Sequence, residues 1–190
     1  FFTKLFNLES LRGIAAISVV LFHFNNGSHF NNIFTSHAWL MVDFFFVLSG
    51  FVITMSYSKR LTNFEELFTF QKKRFYRLYP LHFLMLMVFL GIEIAKYIFE
   101  IRFNIAANNT AFSYNDLQSF IANLLLVQSW AISELTYNYP SWSISAEFYT
   151  YAIFGIVAVL TSKSKKLLCI VSILITIGSG YYLYQDFGIL

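Results

Sequence analysis

Residues 11–24 read Leu11-Arg12-Gly13-Ile14-Ala15-Ala16-Ile17-Ser18-Val19-Val20-Leu21-Phe22-His23-Phe24, an apolar run that holds two ionisable side chains. Arg12 and His23 are 11 positions apart. At about 100° per residue this is about 1100°, so on a helix they share one face, about 16.5 Å apart along the axis. Ionisable groups inside a membrane are costly and usually face a bundle interior as part of a functional path. The alternative is a buried histidine bonded to a backbone carbonyl, with an arginine at the membrane interface.

The composition is typical of a protein that lies in a lipid bilayer. Of the 190 residues, 57% are hydrophobic and 12% are charged, and the mean hydropathy is +0.60. Soluble domains contain roughly 45–50% apolar and about 25% charged residues. The net charge of +3 comes with no basic stripe, so no nucleic-acid partner is expected. The single cysteine excludes an intrachain disulfide, and no metal-ligand spacing of His, Cys, Asp or Glu occurs, so no metal site is expected.

The apolar segments predict an all-α, polytopic transmembrane bundle with about five spanning helices. A sixth segment, 120–132, has only about 13 mostly apolar residues, fewer than the roughly 20 that a crossing helix needs. Pro80 is expected to open the third span, because proline is tolerated in the first turn of a helix. The five predicted spans are residues 11–24, 38–57, 80–99, 142–160 and 167–184.

The basic residues predict the orientation of these spans. Lysines and arginines at positions 59, 60, 72, 73, 74 and 77 lie between the second and third spans. Because Lys and Arg gather in cytoplasmic loops, this loop and the N-terminus are predicted to be cytoplasmic. If residues 120–132 crossed the membrane, the basic loop at 163–166 would lie outside. The charge pattern therefore favours a re-entrant segment at 120–132.

Four short blocks resemble the membrane acyltransferase-3 family, the bacterial integral-membrane O-acyltransferases that decorate cell-surface sugars. They are residues 8–16 (LESLRGIAA) with His23, residues 42–51 (VDFFFVLSGF), residues 74–80 (RFYRLYP) and residues 142–149 (WSISAEFY). Family members are nearly twice as long, with roughly ten helices. The resemblance therefore implies that residues 1–190 are the N-terminal part of a transmembrane acyltransferase domain, multi-pass in the bacterial inner (cytoplasmic) membrane.

The resemblance implies a donor and an acceptor. An acyl group, usually acetyl, is expected to move from coenzyme A on the cytoplasmic side to a hydroxyl of an extracytoplasmic carbohydrate, either a surface glycan or a lipid-linked sugar. Acyl-CoA is a substrate here, and no permanently bound cofactor is expected. Arg74 and Arg77 match the family's Arg-x-x-Arg motif, and their planar guanidinium groups suit phosphate oxygens. With Lys73, and Lys72 beside it, they are expected to hold the phosphates of the coenzyme; the alternative is that they only retain the orientation.

The resemblance also implies the catalytic residues. His23 matches the family histidine, and imidazole titrates near pH 6.5, which suits a general base; an acyl-histidine intermediate stays open. Arg12 is expected near the donor or paired with an internal acid. Glu147 is expected to orient His23 or to bind the acceptor, with a structural ion pair as the alternative. Asp43 either pairs with Arg12 or caps the second span.

Two other functions fit the same residues. A transporter would use the intramembrane His, Glu and Arg as a proton or substrate path, and a scaffold would need none of them.

Two further predictions concern local structure. Glu93 and Lys96 are three apart and are expected to form a local ion pair near the outer interface. His29, His37 and His82 are expected at the interface.

Overall fold

The computed structural model describes residues 2–23, 33–105, 107–131 and 136–187. It confirms the predicted all-α fold: no strand occurs within those ranges. The chain divides into two compact units, Phe1–Arg60 and Leu61–Leu190.

The first unit is built from two long helices and a short one. Helix α1 spans Phe2–His23, α2 spans Ile33–Ser36 and α3 spans Leu40–Tyr57. Arg12 and His23 therefore lie on one continuous helix, as predicted. Helix α1 packs against α3, and small side chains such as Ala15 and Ser49 are buried there, which lets two apolar helices approach closely.

The second unit begins with α4, which spans Phe64–Phe103 and has 40 residues. At about 1.5 Å per residue it is about 60 Å long. The prediction that a helix starts at Pro80 is wrong, since Pro80 lies inside α4. The helix starts at Asn63 instead, whose side chain accepts a hydrogen bond from the amide of Glu66 at 2.9 Å. This cap and the continuous helical sequence on both sides outweigh the one backbone bond that a proline removes.

The short apolar segment forms a broken helix. Helix α5 spans Leu117–Leu124 and α6 spans Gln128–Ala131, with Leu126 between them at a φ of 59°. Eight residues give about 12 Å of helix, far less than the roughly 30 Å of a hydrocarbon core. Neither piece crosses a bilayer, which supports the prediction of a segment that does not span.

A 3₁₀ turn at Tyr139–Ser141 leads into α7, Trp142–Leu160, and α8 follows at Lys165–Phe187. Helix α7 packs along α4. A Cβ atom added at Gly155 would lie 2.3 Å from Leu67 Cδ1, so the Leu67 side chain occupies the space that the glycine leaves free. Phe70 of α4 and Tyr151 of α7 are buried in this contact.

In the described ranges, four segments are long and apolar enough to cross a membrane, and a shorter apolar helix covers Ser10–His23. The four are Leu40–Tyr57, Phe64–Phe103, Tyr139–Leu160 and Lys165–Gln185. The total of four to five agrees with the prediction of about five spans. The chain is a multi-pass membrane protein by this criterion.

Candidate active site

In the first unit, the Arg12 side chain makes a hydrogen bond to α3. Its guanidinium Nη2 donates to the Ser49 hydroxyl at 3.2 Å, and Ser49 is buried while Arg12 is half-buried. Asp43 lies exposed in the first turn of α3, and the structure shows no ion pair between it and Arg12. Among the described residues of this unit, the side-chain hydrogen bond of Arg12 is therefore to a hydroxyl.

His23 is the last residue of α1. Its ring is exposed and meets the ring of Phe22 edge to face, with the centroids 5.3 Å apart. The residues that follow, 24–32, lie outside the described part of the chain, as does His29. The prediction that Glu147 orients His23 stays a prediction, because the two residues belong to different units.

In the second unit, Arg74 and Glu147 both lie where α4 meets α7, and Tyr151 contacts each of them. The Arg74 guanidinium carbon is 5.8 Å from the centroid of the Tyr151 ring and 5.5 Å from that of Phe70, within the range of cation–π attraction. The Tyr151 hydroxyl donates to the Glu147 carboxylate one turn earlier on α7. One tyrosine thus connects the predicted donor-binding arginine with the predicted catalytic acid.

The other predicted donor-binding residues are arranged differently. Arg77 and Lys73 are exposed on α4, whereas Arg74 is half-buried. Beside Arg74, the Gln71 side-chain amide donates to the Phe148 carbonyl at 3.1 Å and fixes α4 against α7 at this level. Arg74 therefore places a positive charge in the interior, while Lys73 and Arg77 carry accessible charges, so the three side chains are not equivalent as phosphate ligands.

A buried polar cluster surrounds the break between α5 and α6, and we call it the helix-break network: His82, Asn123, Gln128, Ser141 and Ser145. His82 is 1% exposed, so the prediction that it is interfacial is wrong. Its Nε2 lies 2.8 Å from the Asn123 carbonyl oxygen, one of the groups that the last turn of a short helix leaves without an intrahelical partner. The sequence signal was the presence of Asn123 and Gln128 in a segment too short to span.

Further bonds tie this network to the start of α7. Gln128 donates to the Ser141 carbonyl at 3.1 Å, and the Ser141 hydroxyl lies 3.4 Å from the Asn123 side-chain oxygen. Ser145, which is fully buried, donates to the Leu126 carbonyl at 2.5 Å. The backbone polar groups that the break exposes are therefore satisfied by side chains, as an apolar environment requires.

Glu93 forms the predicted ion pair with Lys96, at 3.0 Å. Glu93 is also buried, and it accepts bonds from the amide of Phe112 at 2.9 Å and from the side chain of Asn115 at 2.7 Å. Asp116, at the end of the same loop, caps α5, and the amide of Ser119 lowers the pKa of its carboxyl. The ion pair is thus part of a folded loop. Separately, no group of three or more His, Cys, Asp or Glu side chains that could hold a metal ion occurs among the residues that the structure describes.

Most of this chain is similar to a known protein family. A family model described as an acyltransferase domain matches residues 5–189. Acyltransferase MdmB of Streptomyces mycarofaciens is 31% identical over 163 residues, which are 80% of this chain and 38% of that protein. Protein 2 in the picA locus of Rhizobium radiobacter is 38% identical over 94 residues, which are 48% of this chain and 47% of that protein. The chain spans less than half the length of either relative, and no solved structure gives a significant match.

Proposed function

This chain belongs to the acyltransferase-3 family, as its four sequence blocks had indicated, and from that premise we propose its donor, acceptor and direction of transfer. The complete protein transfers an acetyl group from coenzyme A, on the cytoplasmic side of the bacterial inner membrane, to a hydroxyl of an extracytoplasmic carbohydrate. The acceptor is a surface glycan or a lipid-linked sugar. Acetyl-CoA is consumed as a substrate, and no permanently bound cofactor takes part.

The observation that carries this proposal is the contact of Arg74, Tyr151 and Glu147 between α4 and α7. Arg74 is held by two aromatic rings, with exposed Lys73 directly before it and exposed Arg77 about one turn further on. A cationic surface next to a half-buried carboxylate suits a donor with phosphates and a reacting thioester. In this assignment Lys73 and Arg77 contact the phosphates, and Arg74 places positive charge beside the reacting end.

The reaction follows from the groups that the chain supplies. His23 takes the proton of the acceptor hydroxyl as the hydroxyl oxygen attacks the thioester carbonyl carbon. The new ester bond forms, the carbon–sulfur bond breaks, and the coenzyme thiolate leaves with the proton that the imidazole had taken. Glu147 orients the imidazole or the acceptor, and Arg12, fixed by Ser49, lies on the donor side. In the acyl-histidine variant of this route, the imidazole nitrogen carries the acetyl group before the hydroxyl attacks.

The proposed orientation places the N-terminus in the cytoplasm. Because α5 and α6 are too short to cross, α4 leaves the cytoplasm and α7 returns to it. The basic residues at 59–60 and at 163–166 then both face the cytoplasm, as the distribution of Lys and Arg in membrane proteins favours. The donor is expected to reach the cations of α4 from that same side, with Arg74 level with Tyr151 in the middle of α7.

A sidedness experiment tests this function against the transporter alternative. The full-length protein is reconstituted in sealed vesicles that contain a glycan acceptor, and labelled acetyl-CoA is supplied on one face at a time. We expect consumption of the thioester and labelled acceptor only when the donor meets the face that carries the basic loops. Acceptor that crosses the membrane unmodified, with acetyl-CoA intact, would contradict the proposal.

A further inference from the structure

Four consecutive backbone carbonyls at the end of α5, those of residues 123–126, are bonded by side chains from two other helices. His82 and Tyr79 of α4 contact the first and the second of them, at 2.8 and 3.0 Å. Ser145 and Tyr149 of α7 donate to the fourth and the third, at 2.5 and 3.4 Å. A helix leaves its last carbonyls without intrahelical partners, and here these carbonyls connect α4 with α7.

Ser145 makes the shortest of these four contacts and also bonds the second piece of the broken helix. Its Oγ lies 2.7 Å from the hydroxyl of Ser129 in α6. Because a carbonyl oxygen can only accept, the Ser145 proton points at Leu126 and the Ser129 hydroxyl donates to Ser145. Ser145 is fully buried, and its one hydroxyl therefore connects α7 to both sides of the break.

The carbonyl that accepts from Ser145 belongs to a residue with an unfavourable backbone conformation. Leu126 has a φ of 59°, in the left-handed region that residues with a side chain rarely adopt. Such a conformation persists only where the surrounding structure holds it, and Leu126 is buried. Ser145 is thus bonded to a fixed point of the fold.

Glu147 follows Ser145 by two residues, so the two side chains lie about 200° apart around α7. On the side of α7 that faces α4, the Gln71 side-chain amide donates to the Phe148 carbonyl at 3.1 Å. A rotation of α7 that displaced Ser145 from the break would turn Glu147 and Phe148 through the same angle. It would therefore move the Glu147 carboxylate relative to Arg74 on α4.

We propose that Ser145 is a positioning residue for acyl transfer. Its bonds to both pieces of the broken helix fix the rotation of α7, and with it the place of the Glu147 carboxylate relative to Arg74. The inference rests on the proposed function only in that Glu147 takes part in the reaction. In this role Ser145 contacts no substrate and acts through α7 alone.

NMR of the full-length protein in lipid nanodiscs, with ¹⁵N-labelled glutamine, measures the rotation of α7 without any substrate. The Gln71 signal is the one lost in Gln71→Leu, and its bonded proton should lie downfield of a free side-chain amide. In Ser145→Ala we expect this proton to move upfield, because the Phe148 carbonyl turns away from it. Ser143→Ala is the matched control, since it removes a hydroxyl of the same helical turn that donates to Pro140 instead of the break, and it should leave the signal unmoved.

Acetyl transfer by the same variants separates positioning from a purely structural role. In Ser145→Ala, kcat per folded protein should fall by about 10- to 100-fold, because a displacement of about 1 Å can cost about 100-fold in rate. The KM for acetyl-CoA should stay near the native value, and Ser143→Ala should match the native protein. A serine that only stabilised the fold would lower the midpoint of thermal unfolding and leave kcat of the folded protein unchanged.

Ser129→Ala takes the place of Ser145→Ala if that variant does not fold, because it removes only the bond from α6. The same upfield movement and a smaller loss of kcat are expected. A native Gln71 signal, or a displaced signal with native kcat, would overturn the proposal in either variant. If the native protein transfers no acetyl group, the proposed function fails, whereas the Gln71 signal still shows whether Ser145 fixes α7.

Discussion

Replacing Tyr151 by phenylalanine removes one hydroxyl from the candidate active site and leaves the ring in place. The ring keeps its contact with the Arg74 guanidinium, 5.8 Å from the centroid, while the hydrogen bond to Glu147 is lost. A hydrogen bond to a charged group contributes about 1.5–3 kcal/mol. Since Glu147 is half-buried, we take the lower end, which corresponds to about a tenfold loss in kcat for acetyl transfer.

The assay compares native protein and Tyr151→Phe at matched membrane levels, with acetyl-CoA and acceptor varied separately. In Tyr151→Phe, kcat should be lower or the KM for the acceptor higher than in the native protein, while the KM for acetyl-CoA should stay near the native value. Tyr149→Phe is the matched control, because within the described part of the chain that hydroxyl donates to the Leu125 backbone carbonyl alone, at 3.4 Å. Equal kinetics in native protein and Tyr151→Phe would refute the reasoning, and so would an equal loss in both tyrosine variants.

Three further changes test local features. Ser49→Ala removes the hydrogen-bond acceptor of Arg12. It should reduce the free energy of unfolding by about 1.5 kcal/mol, the value for a hydrogen bond to a charged group, and so lower the midpoint of thermal unfolding in detergent. An unchanged midpoint would show that this bond does not hold α1 against α3. Gly155→Ala would place a Cβ 2.3 Å from Leu67 Cδ1 and should destabilise by about 1 kcal/mol, the lower end for overpacking, because the end of the half-buried Leu67 side chain can turn away. Gly91→Ala, with open space around it, should be neutral or stabilising. The pKa of Asp116 is lowered in the folded state, so its cap on α5 is fully present above about pH 3.9 and is lost as the pH falls through the lower folded value. The protection factor of the Ser119 amide, its exchange rate relative to an unstructured chain at the same pH, should therefore fall in acid, and Asp116→Asn should abolish that pH dependence.

Much of the fold follows from the sequence because the length of each apolar run can be read directly from consecutive residues. The runs at 11–24 and 142–160 predicted long helices, and the positions of Arg12 and His23 placed them on one helix. Length also showed that residues 120–132 could not form a full crossing helix. The prediction for the start of α4 was wrong for a local reason too: Pro80 is compatible with a first helical turn, but the helix begins much earlier, after the cap at Asn63.

The position of His82 could not be read from spacing. Its burial depends on α5, which packs against α4 only after the chain has passed through the loop that follows α4. The same holds for Tyr151, which connects Arg74 with Glu147 through a contact between two helices that are far apart in sequence. Sequence blocks identified the family and the charged residues, whereas tertiary contact determined which neutral side chains support them.

Acetyl transfer by the native full-length protein and by His23→Ala shows whether His23 is the base of the reaction. Sealed vesicles receive labelled acetyl-CoA on the cytoplasmic face at matched protein levels, with His37→Ala as the control, since His37 is an exposed histidine outside the proposed site. We expect labelled acceptor from the native protein and from His37→Ala, and none above background from His23→Ala. Native turnover in His23→Ala would remove His23 from the reaction and contradict the proposed mechanism.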